Sequence, residues 1–252
     1  MRVSKLRIMI FIFFFSSFNF IPYSFAARPL STDDAGTVDK GHYEIETGLE
    51  YVNQADREVA LSLVIKRGML DNLDLGVEVP YKFINFAAGS KTDGFDDIKI
   101  SSKFNFLEEK NVLPAMSVSL VLKTDSGNDD KSLGTGEKEY QFNTIMSKSL
   151  NNLTLHFNFG YTIKDDLPEQ DLRDILTYGV AVEYPFNDKL NLVGEIVGEN
   201  ERRGDFDDNP MAGIIGFNYS LDDNVMYDLG LSFEISEASP DFKVTTGLTF
   251  GF

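Results

Sequence analysis

Read at period two, the last eleven residues split into two unlike faces. Phe242, Val244, Thr246, Leu248, Phe250 and Phe252 fall on one side, and Lys243, Thr245, Gly247, Thr249 and Gly251 on the other. That is a strand with one apolar face and one small or polar face. The same alternation recurs along the chain in segments of about ten to twelve residues, long enough to cross a membrane as tilted strands. Twelve such segments start near Tyr43, Arg57, Leu73, Asp97, Pro114, Tyr140, Leu153, Asp174, Lys189, Met211, Val225 and Phe242. A well-patterned strand at the end of a chain is an open edge unless it pairs with the first strand, and closure into a barrel removes that edge.

The connections sort by length. Tight polar turns at 70–72, 108–111, 151–152, 187–188 and 222–224 alternate with longer stretches at 85–95, 125–139, 165–171 and 200–208; 236–241 is shorter and 53–56 shortest. Short turns at one end and long loops at the other predict a transmembrane antiparallel up-and-down β-barrel with both termini in the periplasm. The faces agree. Leu73, Leu75, Val77, Val79 and Tyr81 oppose Asp74, Gly76, Glu78 and Lys82; Leu153, Leu155, Phe157, Phe159 and Tyr161 oppose Thr154, His156, Asn158 and Gly160. The sixth segment is the poorest, with Ile145 inward and Lys148 outward near a short turn, where its amine can snorkel. Tyr51, Tyr81, Tyr161 and Tyr184 lie on the outer face near strand ends, as an interfacial girdle requires.

Before the first strand the period disappears. Arg2, Lys5 and Arg7 precede the apolar run 8–20, and Ser24-Phe25-Ala26 carries small residues where a signal peptidase reads. The expected organisation is a signal peptide at 1–26, an irregular leader at 27–41 and the barrel at 42–252. The apolar run is too short and too polar for a spanning helix. The leader itself, RPL followed by TDDAGTV, a glycine and the acidic alternating strand YEIETGLEY, resembles the start of the family named for the MetA pathway of phenol degradation. The resemblance implies an outer-membrane channel for aromatic or other small organic compounds, and it brings no catalytic residues. The terminal strand with Phe250 and Phe252 likewise resembles the closing strand of bacterial outer-membrane barrels, where it serves as an assembly signal. Outer-membrane lipids, lipopolysaccharide and the barrel-assembly machinery are the partners this implies.

Composition narrows the chemistry. The chain has 23 basic and 40 acidic residues and no cysteine. So acidic a protein does not bind nucleic acid through phosphates, and disulfides and thiol-based metal sites are excluded. No cofactor is expected. The aspartates of the long stretches (Asp93, Asp96, Asp97, Asp129, Asp130, Asp205, Asp207, Asp208) lack EF-hand spacing and read as solvated charge, with no metal site. Arg202 and Arg203 can pair with lipopolysaccharide phosphates. Of two histidines only His156 faces the lumen, with Ser147 and Ser149 on the neighbouring strand; a hydrolase triad is one alternative, and a plugged structural or adhesive barrel another.

The inner face carries the candidate site. Gly48, Gly76, Gly160, Gly179, Gly230 and Gly247 keep room there, and Val64, Val121, Ile145, Val193, Val197 and Ile214 are its few apolar members. In a ring of twelve strands, each faces the one six further on. Lys82, Lys99, Lys103 and Lys123 then form a basic wall. Glu195, Glu199, Asp228 and Glu234 face it, joined by Glu44, Glu46 and Glu50 of the first strand. Such walls impose a transverse field on a solute in transit, and the surplus of acids predicts cation preference.

Overall fold

A chain that alternates at period two needs a sheet with two unlike faces. The computed structural model describes residues 28–165, 174–201 and 209–252. The expected signal peptide and Arg202, Arg203, Asp205, Asp207 and Asp208 lie outside the described residues. The strands are β1 (Tyr43–Asn53), β2 (Arg57–Leu70), β3 (Leu73–Asn85), β4 (Lys91–Phe95), β5 (Lys99–Leu107), β6 (Ala115–Lys123) and β7 (Glu139–Leu150). They continue as β8 (Leu153–Lys164), β9 (Ile175–Pro185), β10 (Leu190–Glu201), β11 (Met211–Asp222), β12 (Val225–Glu234) and β13 (Phe242–Gly251). From β5 to β13 each strand pairs antiparallel with the next, and β1–β2–β3–β5 continue the ring. It closes through β1 and β13, from Glu44 opposite Gly251 to Asn53 opposite Phe242. Tyr43 and Phe252 finish that ladder by exchanging N–H···O bonds of 3.0 and 2.9 Å. The result is a closed antiparallel barrel of twelve staves.

The extra strand, β4, falls inside the stretch expected to be a loop, 85–95. It pairs with the upper part of β3 (Tyr81 opposite Phe95, Asn85 opposite Lys91), while β5 pairs with the lower part (Leu73 opposite Phe104, Glu78 opposite Lys99). The two share one stave, broken at residues 96–98. The reason is the need to satisfy the backbone of a long β3: without β4 its last residues would end in unpaired amides.

Burial is inverted relative to a water-soluble domain. Outward Leu63, Val77, Phe104, Leu120, Phe142, Ile196 and Ile215 are exposed, and Phe159 is 57% exposed, while inward Glu44, Glu46, Asp74, Lys103, His156, Glu195 and Asp228 are buried. An apolar belt this continuous is a surface for hydrocarbon, not for water. No helix among the described residues is long and apolar enough to cross a membrane; the strands do so. Tyr81 and Tyr161 hydroxyls, at the long-loop ends of their strands, donate to Asp93 (2.6 Å) and Asp174 (2.5 Å). Lys148 points outward at the short-turn end, where its amine donates to Glu109 Oε1 and the Asn111 carbonyl, both at 2.7 Å.

Candidate functional site

The lumen is not empty of chain. Residues 28–42, which have no period of their own, run around its inner wall and draw their hydrogen bonds from it. Arg28 Nε donates to Asp228 Oδ2 (3.4 Å) on β12, and Arg28 Nη2 to Thr245 Oγ1 (2.9 Å) and the Thr246 carbonyl (3.1 Å) on β13. The Ser31 and Thr32 amides both donate to the Glu195 carboxylate on β10, at 2.6 and 2.8 Å. Asp33 accepts from Lys103 Nζ on β5 at 3.1 Å, and the Asn158 amide of β8, oriented to satisfy both of its ends, bridges the Asp33 carbonyl (2.9 Å) and amide (2.6 Å). The Ala35 carbonyl accepts from Ser117 Oγ (2.5 Å) and Asn105 Nδ2 (2.7 Å), and its N–H donates to Ser147 Oγ (2.8 Å). Val38 N–H donates to Asp74 (3.1 Å), and Gly41 N–H to the Gly68 carbonyl (2.8 Å). A segment without secondary structure satisfies its backbone on lumen side chains, which is the only way it can be buried.

The inner glycines explain the fit. A Cβ at Gly48 or Gly247 would run into the Arg28 guanidinium, one at Gly216 or Gly230 into the Pro29 ring, and one at Gly179 into Thr32. The room left by Gly48, Gly179, Gly230 and Gly247 is therefore occupied by the leader rather than by solute. Gly76 and Gly160 meet wall side chains instead, Ser101 and Thr177. The apolar inner residues divide in the same way. Val193 and Ile214, with Ala181, pack on Leu30 and pin the leader, whereas Val64, Val121, Ile145 and Val197 line open space.

That space is a cavity of about 670 Å³ whose floor is Leu30, Thr32 and Asp33 and whose upper rim includes Pro210, Ser239 and Pro240. Five acids (Asp33, Glu46, Asp74, Glu78, Glu199) and five bases (Arg28, Lys66, Lys99, Lys103, Lys243) line it, with Ser119, Gln141, Asn143, Thr177 and Tyr178 between them.

The charges named from sequence all lie on inward-parity positions, with partners that single-strand reading does not reveal. Lys82 pairs with Glu58 (3.2 Å) and Asp96 (2.9 Å), Lys99 with Glu78 (3.2 Å), and Lys123 with Asp97 (3.2 Å) and Glu139 (3.0 Å). Glu44 and Glu46 share Lys66, at 3.1 and 2.6 Å, and Glu50 pairs with Lys243 at 3.2 Å. Lys103, Glu195 and Asp228 are held by the leader. Glu199 is exposed at the cavity wall, and Glu234 is exposed where β12 ends. Lys66, which sequence reading passed over, is the hub of the β1–β2 wall. Its signal was the inward parity of Glu58, Ala60, Ser62 and Val64 before it.

Ser147 Oγ lies 2.8 Å from His156 Nδ1, and His156 Nε2 lies 3.6 Å from Glu183 Oε1. The three residue types of a hydrolase triad meet here. Yet Ser147 Oγ already accepts the Ala35 N–H, and both Ser147 and His156 are buried beneath the leader. A nucleophile needs an open side for its carbonyl and an oxygen free to attack; here that oxygen is a fastener for the leader.

At the long-loop end the expected solvated acids divide. Asp129 and Asp130 are exposed, but Asp97 is 2% exposed. It accepts the amides of Gly127 (2.8 Å) and Thr135 (2.9 Å) as well as Lys123 Nζ (3.2 Å). The reading of Asp97 as a solvated charge is thus corrected: two loop amides and a wall lysine converge on it and fold residues 124–138 over the rim. Asp97→Ala leaves those donors without their acceptor, a loss of about 3–5 kcal/mol for a buried charge pair. The expected outcome is rapid proteolytic cutting within 125–138 with the strands intact, read by mass spectrometry of the fragments.

Solved structures with a similar fold include outer-membrane channels and porins. The COG4313 outer membrane channel from Pseudomonas putida F1 matches with a TM-score of 0.67 at 13% identity, covering 87% of this chain and 98% of that one. The KdgM porin, in a complex with disordered oligogalacturonate, matches at a TM-score of 0.59 and 11% identity over 83% of this chain and 99% of its own. The NanC porin matches at 0.59 and 8% over 82% and 98%. No curated protein matches the sequence significantly. A family model described as "Putative MetA-pathway of phenol degradation" matches residues 26–252.

Proposed function

As the chain belongs to that family, we propose that it is an outer-membrane channel admitting small organic molecules by passive diffusion. In this reading the signal peptide is cut after Ala26, both termini face the periplasm, the apolar belt meets lipid and lipopolysaccharide, and Phe250 and Phe252 address the barrel-assembly machinery. The observation that carries the reading is the cavity of about 670 Å³ at the long-loop end, floored by the leader and lined by polar side chains with an apolar strip. A solute enters between the long loops, meets the cavity, and passes the leader where it narrows the lumen.

The lining also bears on selectivity. Surplus acid over the whole lumen argues for cations, but among the described residues the cavity lining balances five acids with five bases. We therefore propose weak charge selectivity. A transverse field does not carry over into this reading: in the ring order β3, β5 and β6 lie across from β10, β11 and β12, but Lys82, Lys99, Lys103 and Lys123 are each paired with acids beside them or in the leader. Val64, Val121, Ile145 and Val197 beside hydroxyl and amide groups suit a solute with an apolar body and one or two hydrogen-bonding groups. A phenolic compound is of that kind.

Single-channel recording in planar bilayers tests this. The expected result is a small, weakly selective conductance interrupted by millimolar phenol and unaffected by a disaccharide of larger girth. Current blocked by the sugar and indifferent to phenol would redirect the substrate class. A mature barrel that conducts nothing, with or without its leader, would be a structural barrel.

A further inference from the structure

The ion pair between the leader and β5 is open on its cavity side. Lys103 Nζ donates to Asp33 Oδ1 (3.1 Å) and Oδ2 (3.2 Å) and to the Asp34 carbonyl (3.2 Å). The lysine side chain is 10% exposed and the Asp33 carboxylate 34%, and both line the cavity. By contrast the pair of Arg28 with Asp228 is closed, its carboxylate being 1% exposed. Just above Lys103, toward the long loops, the wall carries only small side chains. Lys103 stands opposite Asp74 on β3 and Ser119 on β6, and the next inward row is Gly76, Ser101 and Val121. Neighbouring strands lie about 4.8 Å apart, so this row across β3, β5 and β6 is a shelf roughly 10 Å wide with an ammonium group at its lower edge.

We propose that Asp33 is a built-in competitor of the solute: an aromatic carboxylate takes its place on Lys103 and lays its ring on the shelf of Gly76, Ser101 and Val121. The inference rests on the channel reading of the cavity and names the solute class that competes with the leader there. Asp33 can yield without unseating the leader. Asn158 holds its carbonyl and its N–H, and Glu195, Ser117, Asn105 and Ser147 hold the residues on either side. Rotation of one side chain therefore frees the amine. It breaks the contact of Asp33 Oδ1 with the Asp34 N–H at 3.0 Å and moves the carboxylate into the water of the cavity. The exchange conserves charge, since one carboxylate replaces another on the same ammonium group. A ring alcohol gains the shelf but leaves Lys103 without its counter-charge, so it does not displace Asp33. Because Asp33 is tethered beside Lys103, its effective concentration there is high. It keeps the solute's residence short, and conduction needs a site that is weak enough to leave.

Binding is read without current. Protein purified from membranes in detergent, its folded state confirmed by heat-modifiable gel migration, is titrated with para-fluorobenzoate and with para-fluorobenzyl alcohol. Fluorine NMR line broadening gives each Kd, with protein-free micelles as the blank. Asp33→Asn keeps an acceptor for the Asp34 N–H but removes the competing charge. The expected result is that it binds fluorobenzoate about tenfold tighter than the wild type and the alcohol within about twofold of it. Adding Lys103→Met to Asp33→Asn abolishes the gain. Glu50→Gln frees another cavity lysine, Lys243, from its partner at 3.2 Å, and is expected to change fluorobenzoate binding by less than about twofold. The proposal is overturned if Asp33→Asn leaves fluorobenzoate binding unchanged or tightens the alcohol equally. A gain that survives Lys103→Met, or an equal gain from Glu50→Gln, overturns it too. A protein that binds as expected yet conducts nothing refutes the channel reading and leaves this site standing. A conducting channel in which Asp33→Asn gains nothing refutes the site alone.

Discussion

Deleting residues 28–40 raises single-channel conductance about threefold or more and leaves the barrel folded. A ring of twelve strands about 4.8 Å apart and tilted near 40° has a backbone radius of roughly 12 Å. Inward side chains take about half of that, so one further chain lying across the lumen removes most of the remaining cross-section. The barrel does not need the leader for closure, which is made by β1 and β13 alone. Deletion does strand Glu195, Lys103 and Asp228, but in the open lumen water replaces the lost partners. The leader's seat is a set of bonds at about 0.5–1.5 kcal/mol each, and up to about 3 where a charge takes part. Glu195 carries two of them, to the Ser31 and Thr32 amides. Glu195→Ala should therefore give intermediate, flickering conductance between wild type and deletion. Unchanged current after deletion would mean that the constriction lies elsewhere, in the loops that Asp97 gathers at the rim.

Strand faces were readable from the chain because membrane and lumen impose opposite demands on adjacent residues. Ile145 is inward and Lys148 outward as period two requires, and the poorest segment still forms β7. What could not be read is what each inward group meets. Lys66 bridges Glu44 and Glu46 because β1 and β2 pair in one particular register. Asp97 is buried because a loop some thirty residues later folds onto it. That the leader folds into the periplasmic mouth and narrows it was expected from the sequence; which groups hold it there was the largest gap. The leader has no period, so its path is set by side chains of strands spread around the whole ring, and Glu195 lies 164 and 163 positions from the two amides it holds. Its trace in the sequence was the inner glycines, whose vacancy reads equally as room for solute or room for chain. The strand β4 escaped for a related reason: five residues pair there only because β3 outlasts β5.

Lys66→Met is expected to destabilise the barrel by about 3–5 kcal/mol. Lys66 lies within 3.1 Å of both Glu44 and Glu46, two buried carboxylates two residues apart on the same face of β1. Removing it leaves like charges adjacent in a low-dielectric wall, next to the seam where β1 meets β13. Methionine keeps the length and packing of the stem, so the loss reports charge rather than a cavity. The discriminating partner is the triple variant Lys66→Met, Glu44→Gln, Glu46→Gln. If unbalanced carboxylates are the cause, neutralising them recovers most of the loss, because removing a buried ion cluster whole is close to neutral while breaking it is not. Urea unfolding followed by tyrosine fluorescence in lipid vesicles measures all three proteins. A triple variant as unstable as Lys66→Met would show that Lys66 acts through its stem, and the electrostatic account of the β1–β2 wall would fail.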